Sequence, residues 1–279
     1  MPVQDEVVTY DTRNMTYAEL VRKIPRRLYK YRPINQYALD GLQNHTLWFS
    51  SPGEFNDPFD CNVSCFIGRN RQDFEERLGA FLGDGLVSLL DKSPAGWRKK
   101  NEILMDIFRD FYSSKILICC LSVTCDNVLM WSHYAAQHKG MCLVFNSHKA
   151  GLIRDNVLPV QYYKRYPSNL VDARKIDTLE SLVKQLLAAK SSAWSYEQEW
   201  RAFMLNESGG DADNVKGALY QYDPALLAGV VFGINTSSSD IERVKSALAK
   251  GKFPQRVNLY QARAVKDDFT IDVRKIGHV

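Results

Sequence analysis

The chain has 279 residues, of which 45% are hydrophobic and 24% are charged, with 16 Gly and 10 Pro. These values are typical of a globular protein and exclude collagen-like, disulfide-scaffold and disordered compositions. The 36 Lys and Arg against 32 Asp and Glu give a net charge of +4, spread along the chain, which permits an anionic ligand without requiring one. We expect a single domain over residues 1–279.

The sequence predicts a soluble, cytoplasmic protein without a membrane segment. The N-terminal residues are polar and mixed, unlike an export signal. The longest apolar run, Ile116 to Leu121, is far shorter than the roughly 18 residues that a membrane span needs. Without an export signal, the six cysteines favour buried, reduced thiols over disulfides.

The cysteines could also suggest a zinc site, but their spacing argues against one. Cys119 and Cys120 are adjacent in an apolar stretch, so in a strand they would point to opposite faces. We therefore expect no metal. A nucleophilic cysteine with His133 or His138 as its base remains an alternative.

The first half of the chain predicts a strand, helix, strand unit followed by a helical insert. Alternating and aromatic-rich segments indicate strands, and apolar residues at helical spacing indicate helices. The predicted elements are a helix capped by Asn14 and closed by Pro25, a strand at Leu28 to Arg32, a helix at Ile34 to Asn44, a strand at Thr46 to Ser50, a turn-rich loop at Ser51 to Asp60 and helices within 70–112.

The second half predicts further strands with a long helix between them. These elements are strands at Ile116 to Val123 and Met141 to Phe145, helices at Val128 to Ala136 and Asp177 to Trp194, strands at Glu199 to Leu205 and Leu227 to Phe232, a helix at Ser239 to Lys250, and strands at Val257 to Ala264 and Phe269 to Val273. The sum is an α+β fold, with mixed, mostly antiparallel central β-sheets, surrounding helices and a helical insert.

Three clusters combine aromatic rings with polar groups, as the walls of a small-molecule pocket do. They are Tyr29 to Arg32 together with Ser50 to Asp60, Met130 to Gly140, and Ser195 to Arg201. The alternative interpretation is that they are packing and capping residues. The chain has neither a P-loop nor a GxGxxG turn, which excludes the commonest nucleotide motifs.

The third cluster is the most informative. Glu197 and Glu199 lie two residues apart at the start of a predicted strand, so their side chains share a face with Arg201. Flanking aromatic residues suggest partial burial, although a solubilising charge pair on an edge strand is the alternative. A buried carboxylate held ionised by an arginine is suited to stabilising an oxocarbenium-like transition state.

In this order the motifs resemble a widespread bacterial family labelled a domain of unknown function. The pattern consists of YKYR, a WFSSP strand with NDPFD, MWSHYA with HKG, and YEQEWR, and it extends over about residues 28–265. This resemblance supplies no activity.

A second resemblance is to NAD-dependent ADP-ribosyltransferases of the arginine-serine-glutamate type. It implies that Arg32 holds the NAD pyrophosphate, that Ser122 supports the active-site strand, and that Glu199 stabilises the oxocarbenium ion. Glu197 would position or deprotonate the acceptor, and Trp131 or Tyr134 would stack on the nicotinamide. Lys30 occupies the place where another branch of this superfamily has histidine, which leaves open which residue has the first role.

The resemblance implies NAD as the substrate, a protein or nucleic-acid acceptor, and a role as a toxin or phage-defence effector. NAD-binding residues are then expected in all three clusters, at Tyr29, Lys30, Tyr31, Ser50, Asn56, Asp57, Trp131, Tyr134, His138, Lys139 and Arg201, and outside them at Thr124 of the serine-x-threonine strand. Asn56 and Asp57 have the alternative role of fixing a turn through side-chain to backbone hydrogen bonds.

Two other functions compete with NAD chemistry. A metal-dependent nucleic-acid hydrolase would use Asp57, Asp60, Glu197, Glu199 and Lys139. A non-catalytic ligand- or partner-binding module would leave the acids exposed and the aromatic residues in the core.

Overall fold

The computed structural model describes residues 19, 22–61, 115–149, 151–165, 187–206 and 216–279. The predicted insert at 70–112 and the start of the first predicted helix at Asn14 lie outside these residues. Glu19, Arg22 and Lys23 are helical, in agreement with the rest of that prediction.

The described residues form an α+β fold around a large, mostly antiparallel sheet. Its strands are β1 (Arg27–Arg32), β2 (Thr46–Ser50), β3 (Ile116–Ser122), β4 (Met141–Asn146), β5 (Val157–Pro159), β8 (Glu199–Leu205), β9 (Gly217–Gln221), β10 (Leu227–Phe232), β11 (Asn258–Ala264) and β12 (Ile271–His278). A separate parallel pair comprises β6 (Gln161–Tyr163) and β7 (Ala189–Ser191). The helices are α1 (Gln36–Gln43), α2 (Val128–Tyr134), the short α3 (Leu152–Asp155) and α4 (Ser238–Gly251).

The strand order is β12-β11-β10-β4-β1-β3-β2-β9, and β8 lies between β3 and β5. Within this sheet, only the pairing of β10 with β11 is parallel among the described strands. β3 pairs with β8 along its whole length, but with β1 at Tyr29↔Ser122 and with β2 at Ser50↔Ile118. β3 is therefore the strand at which the sheet branches.

Hydrophobic residues cover both faces of the sheet. One face packs against α1 and α4 through residues such as Leu39, Leu42, Val244 and Leu248. The other face packs against α2, where the fully buried Trp131 contacts the edge of Tyr31 with ring centroids 5.1 Å apart. The two faces explain why the strands at Ile116 and Met141 are almost continuously apolar.

The long helix predicted to end at Trp194 is helical at Leu187 but wrong from Ala189 onward. Residues Ala189–Ser191 form β7, and Ser192–Glu197 form a 3₁₀ turn capped by the Ser191 hydroxyl. The preceding part, 177–186, lies outside the described residues. Parallel pairing of β7 with β6 replaces the helical hydrogen bonds here, which a periodic apolar pattern cannot reveal.

Candidate functional site

The site lies where three neighbouring strands bring Tyr29, Ser122 and Glu199 into one row. Tyr29 of β1 pairs with Ser122 of β3, and Ser122 pairs with Glu199 of β8. Ser122 and the E-x-E segment, far apart in sequence, are therefore adjacent in space.

The sequence predicted that the two glutamates lie on one regular strand, but in the structure they do not. Glu197 ends the 3₁₀ turn, Gln198 adopts a left-handed backbone with φ of 43°, and Glu199 begins β8. The turn is fixed by Ser122, whose hydroxyl donates to the Glu197 carbonyl at 2.7 Å, and by Tyr162, whose hydroxyl accepts from the Glu199 backbone N–H at 2.8 Å. The left-handed residue keeps both carboxylates on the same side despite the irregular backbone.

Five buried charged residues form the carboxylate cluster: Asp60, Lys190, Glu197, Glu199 and Arg201. The Lys190 ammonium lies between the three acids, with Nζ 2.5 Å from Glu197 Oε2, 3.0 Å from Glu199 Oε2 and 3.3 Å from Asp60 Oδ2. With every group ionised, two positive charges face three negative ones, so the cluster carries a net charge of −1. Buried charges need such close pairing to offset the loss of hydration.

Glu199 is completely engaged by its neighbours. Arg201 donates from Nε to Glu199 Oε1 at 2.8 Å and from Nη2 to Oε2 at 3.1 Å, and Lys190 donates to Oε2. Although burial alone would raise it, Arg201 and Lys190 hold the pKa of Glu199 well below its usual range. Glu199 is therefore an ionised carboxylate whose two oxygens both accept hydrogen bonds from buried cations.

Arg201 is fully buried and joins the cluster to the rest of the fold. Its Nη2 donates to Asp60 Oδ2 at 2.6 Å, and its Nη1 donates to the Leu187 carbonyl at 2.7 Å. The guanidinium also lies over the Phe55 ring, 5.4 Å from its centroid. Arg201 thereby connects the NDPFD loop to β8 and serves as a structural counter-charge.

Glu197 lines the same cavity as Glu199 but has a different set of partners. Its Oε1 accepts a hydrogen bond from the Tyr134 hydroxyl at 2.6 Å, and its Oε2 accepts from Lys190. Burial and the nearby charge of Glu199 raise the pKa of Glu197, against the opposing effect of Lys190 and Tyr134. A carboxylate of raised pKa is a stronger base than an ordinary glutamate, and beside a cavity it is suited to accept a proton from a ligand.

A cavity of about 370 Å³ lies above these groups, within the range of about 300–1,000 Å³ common for small-molecule sites. Its described lining includes the acids Asp60, Glu197 and Glu199, the cations Lys30 and Lys190, and the rings of Tyr29, Tyr31, Phe55, His133 and Tyr134. Lys30 donates one hydrogen bond from Nζ to the Cys120 carbonyl at 2.9 Å, which leaves its other two N–H donors for a ligand. The lining of the cavity therefore combines three acids with two cations.

Half of the sequence-predicted site residues line this cavity. The residues brought together are Tyr29, Lys30, Tyr31, Asn56, Ser122, Tyr134, Glu197 and Glu199. The predicted residues that are not among its described lining are Arg32, Ser50, Asp57, Thr124, Trp131, His138, Lys139 and Arg201.

Arg32 and Trp131 lie away from the positions that the transferase resemblance implies. Arg32 has Nη1 beside Gly41 of α1, on the face opposite α2, and burial lowers its pKa. Trp131 is fully buried and donates from Nε1 to the Cys125 carbonyl at 2.8 Å, so its ring faces have no room for a nicotinamide. Tyr134 is the aromatic candidate that does line the cavity.

The remaining predicted residues have local roles or lie elsewhere. Asp57 Oδ1 accepts from the Phe59 backbone N–H at 2.9 Å, which is the turn-fixing role. The Ser122 hydroxyl accepts from the Thr124 N–H, while His138 shares a 3.0 Å hydrogen bond with Ser132 and lies stacked against Trp131. Ser50 lies at the end of β2, and Lys139 is exposed.

The residues proposed for a metal site are not gathered around one vacant centre. Of the set Asp57, Asp60, Glu197, Glu199 and Lys139, three acids meet, and the point between them is taken by the Lys190 ammonium. A divalent cation would have to displace this ammonium.

The thiol prediction can be followed at the five described cysteines, all of which are free. Cys119 lies in the core and Cys120 lines the cavity, so the adjacent pair does point to opposite sides. Burial raises the pKa of the Cys120 thiol well above its usual value and that of Cys125 to about 11. Neither thiol is set up as a thiolate nucleophile.

Sequence reasoning missed Lys190, the centre of the cluster, because it falls in the segment that was predicted to be helical. Asp60 was assigned only to the metal alternative. Its partner Arg201 lies 141 positions later in the chain, a pairing with no local signal.

Comparison with known proteins finds one similarity, to a family without an assigned activity. A family model described as "Protein of unknown function (DUF2971)" matches residues 130–202, which include Tyr134, Lys190, Glu197 and Glu199. This match supports the resemblance to a domain-of-unknown-function family. No curated protein and no solved structure matches the chain. Within the described residues, no helix is both long and apolar enough to cross a membrane.

Proposed function

We propose that this protein cleaves the N-glycosidic bond between nicotinamide and ribose in NAD, either as a glycohydrolase or as an ADP-ribosyltransferase. The observation that carries the proposal is the position of Glu197: it belongs to a buried cluster of net negative charge and lines the same cavity as the cationic Lys30. The order of the Ser122 and E-x-E segments, shared with ADP-ribosyltransferases, supports the same assignment.

The charge distribution matches the change that occurs along this reaction. NAD brings a positively charged nicotinamide ring, and the departing nicotinamide leaves an oxocarbenium ion on the ribose. A fixed negative charge in a partly desolvated site stabilises positive charge that develops there. Lys30 has free N–H donors and suits the anionic pyrophosphate. It thereby takes the role that the resemblance gave to Arg32.

Each residue of the site has a separate role in the proposed reaction. Glu197 faces the ribose, while Tyr134 and Lys190 orient its carboxylate through one hydrogen bond to each oxygen. Glu199 accepts a hydrogen bond from Lys190, and Arg201 binds Glu199, so both residues act indirectly by fixing the position of Lys190. The rings of Tyr134 and His133 provide surface for the nicotinamide.

The chemical step balances without a metal or redox cofactor. The bond between ribose C1′ and the nicotinamide nitrogen breaks, and its electron pair leaves with the neutral nicotinamide. Water or an acceptor nucleophile then forms a bond to C1′ and gives its proton to Glu197. The raised pKa of Glu197 suits this last transfer because the carboxylate is a stronger base than an ordinary glutamate.

Nicotinamide release from NAD, followed by chromatography, tests the proposal. Wild-type protein is expected to release nicotinamide, and Glu197→Gln is expected to lose at least about 100-fold of the rate because a preorganised charge is removed. Glu242→Gln, the same change on the exposed face of α4, is the matched control and should retain full activity. The proposal is abandoned if wild-type protein neither releases nicotinamide nor gains thermal stability from NAD.

A further inference from the structure

The large sheet ends at β12, a strand with one paired edge and one open edge. Among the described residues, β12 pairs with β11 alone, in the antiparallel sense, and lies at the end of the strand order. The pairing is regular from Ile271 to Lys275, and a bulge before Gly277 ends this regular segment. An edge strand with open backbone hydrogen-bonding groups is a template for pairing with another strand.

The hydrogen bonds of the β11–β12 hairpin show which backbone groups of β12 point outward. The Val265 N–H donates to the Thr270 carbonyl at 3.1 Å, so these two residues form a hydrogen-bonded pair. Hydrogen-bonded and non-hydrogen-bonded pairs alternate along an antiparallel ladder. The N–H and C=O groups of Ile271, Val273 and Lys275 therefore point away from β11. None of these groups has a hydrogen-bond partner in the described part of the chain.

The sequence of β12 is complementary to a second copy of itself. A twofold antiparallel pairing centred on Val273 joins the outward groups of Val273 to each other and those of Ile271 to Lys275. The same register places Asp272 of one copy opposite Arg274 of the other, at non-hydrogen-bonded positions, where facing side chains lie closest. Opposite charges that face each other across two strands stabilise their pairing.

The charged side chains of β12 are accessible for these contacts. Asp272 and Arg274 have side chains that are 40% and 66% exposed, and within one chain Arg274 Nε lies 2.5 Å from Asp272 Oδ2. An exposed ion pair of this kind contributes little to the stability of one chain. In the paired strands each of these charges has an opposite charge both along its own strand and across the interface.

Exposed apolar residues flank the same edge. Phe269, just before β12, is 99% exposed, and Ile276 is 45% exposed. A Cβ at Gly277 would meet no atom within 4 Å, so there is open space at the other end of the strand. The antiparallel pairing brings Phe269 of one copy toward the Gly277 end of the other, which removes apolar surface from water.

We propose that this protein forms a homodimer through antiparallel pairing of two β12 strands around Val273, which joins the two sheets into one. Backbone hydrogen bonds supply the pairing, and the facing Asp272 and Arg274 side chains fix its register. The interface does not depend on the proposed NAD chemistry, because no residue of β12 is among the described lining of the cavity.

Sedimentation velocity over a series of protein concentrations, up to about 100 µM, measures this self-association. Wild-type protein is expected to be dimeric at the upper end of the series. Asp272→Arg and Arg274→Asp each place like charges opposite one another and should weaken the dimer about tenfold or more. Arg243→Asp, which reverses one charge of the exposed pair with Asp240 on α4, is the matched control and should leave the association unchanged.

A mixture of the two single variants tests the register directly. Asp272→Arg protein carries two cations at these positions and Arg274→Asp protein carries two acids, so each charge again faces an opposite one when the two proteins pair. The mixture should therefore form a heterodimer of about wild-type affinity, although each variant alone does not dimerise well.

Self-association that is weakened in both single variants and restored in their mixture supports the interface. Wild-type protein that stays monomeric throughout the series overturns the proposal and leaves the edge to a strand of a different partner. Dimerisation that either single variant retains overturns it too, as does a mixture that does not associate, because the contact then lies elsewhere or in another register. Nicotinamide release from NAD is a separate measurement, so failure of either proposal is recognised without the other.

Discussion

At the scale of single residues, the two glutamates of the E-x-E segment have different environments. Glu199 is surrounded by guanidinium and ammonium donors that lower its pKa, whereas Glu197 shares one hydrogen bond with Tyr134 and one with Lys190 and has a raised pKa. Separation of two neighbouring pKa values in this way is a common basis for dividing roles between carboxylates. We therefore assign the chemistry to Glu197 and the positioning of Lys190 to Glu199.

Tyr134→Phe tests the link between the Tyr134 hydroxyl and the ionisation of Glu197. The hydroxyl stabilises the ionised carboxylate, so its removal raises the pKa of Glu197 further. Because the reaction needs ionised Glu197, the acid limb of the pH–rate profile should move to higher pH by about one unit, as expected from one charged hydrogen bond. An unchanged acid limb in nicotinamide-release assays would contradict this role.

Lys190→Met tests the centre of the carboxylate cluster. Three buried acids would lose the ammonium between them, and breaking such a pair costs about 3–5 kcal/mol of the free energy of unfolding. Urea denaturation at pH 7 measures this loss. Lys245→Met provides the control, since its exposed pair with Glu242 contributes less than about 1 kcal/mol. A loss below about 1 kcal/mol for Lys190→Met would show that the cluster is not required for stability.

At the scale of elements, the sequence predicts most of the described strands but not how they meet. Glu199 to Leu205 and Leu227 to Phe232 agree with the structure at both ends. Leu227 to Phe232 is a short buried apolar run, which is typical of strands. The helix predicted over Ser239 to Lys250 is one residue longer at each end, since Ser237 caps it and Lys252, not Gly251, takes the left-handed conformation. Strands β5, β6, β7 and β9 were not predicted because they are short and depend on their partners for pairing.

The candidate site shows the same division between local and long-range information. Glu197 and Tyr134 were found from local composition. The positions of Arg32 and Trp131 could not be inferred locally, because the face on which a strand residue lies depends on which side the helices pack. Asp60, Lys190 and Arg201 meet through contacts between distant segments, which one sequence cannot reveal.

Ser122→Ala tests how β3 supports the turn that carries Glu197. The Ser122 hydroxyl donates to the Glu197 carbonyl at 2.7 Å, and its loss should lower the free energy of unfolding by about 1–2 kcal/mol and reduce nicotinamide release. The same change at Ser132, whose hydroxyl donates to Val128 within α2, is the control and should leave release unaltered. Equal effects of the two changes on release would exclude a positioning role for Ser122.

At the scale of the whole molecule, the carboxylate cluster connects segments that are far apart in the chain. Asp60 follows β2, Lys190 lies in β7, and Glu199 and Arg201 lie in β8. The overall stability should therefore depend on the ionisation of these groups, and added salt should have little effect because the charges are buried.

The expected pH dependence follows from two pKa shifts. The pKa of Glu199 is lowered by folding, so its contribution is present above the unfolded value of about 4.3 and is lost as the pH falls through the folded value. The pKa of Lys190 is raised, so its contribution is complete below the unfolded value of about 10.4 and is lost as the pH rises through the folded value. Protonation of Glu197, whose pKa is raised, opposes the acid loss.

Urea denaturation at pH 7, 5, 4 and 3 measures this acid loss. The free energy of unfolding of wild-type protein should fall below about pH 4, and Glu199→Gln should show a smaller fall because the linked carboxylate is absent. Identical pH dependence of the two proteins would mean that Glu199 does not stabilise the fold through its charge.

The claim that Glu197 acts on NAD while Glu199 stabilises the carboxylate cluster is tested by comparing Glu197→Gln with Glu199→Gln. Nicotinamide release and urea denaturation are measured on each protein. We expect Glu197→Gln to retain wild-type stability, because the lost ion pair with Lys190 is offset by the loss of repulsion between the two acids. The same variant should release nicotinamide at least about 100-fold more slowly. Glu199→Gln should lose about 3 kcal/mol of the free energy of unfolding, since Arg201 and Lys190 lose a shared partner. Undiminished release by stable Glu197→Gln protein would contradict the assignment of Glu197 as the residue that acts on NAD.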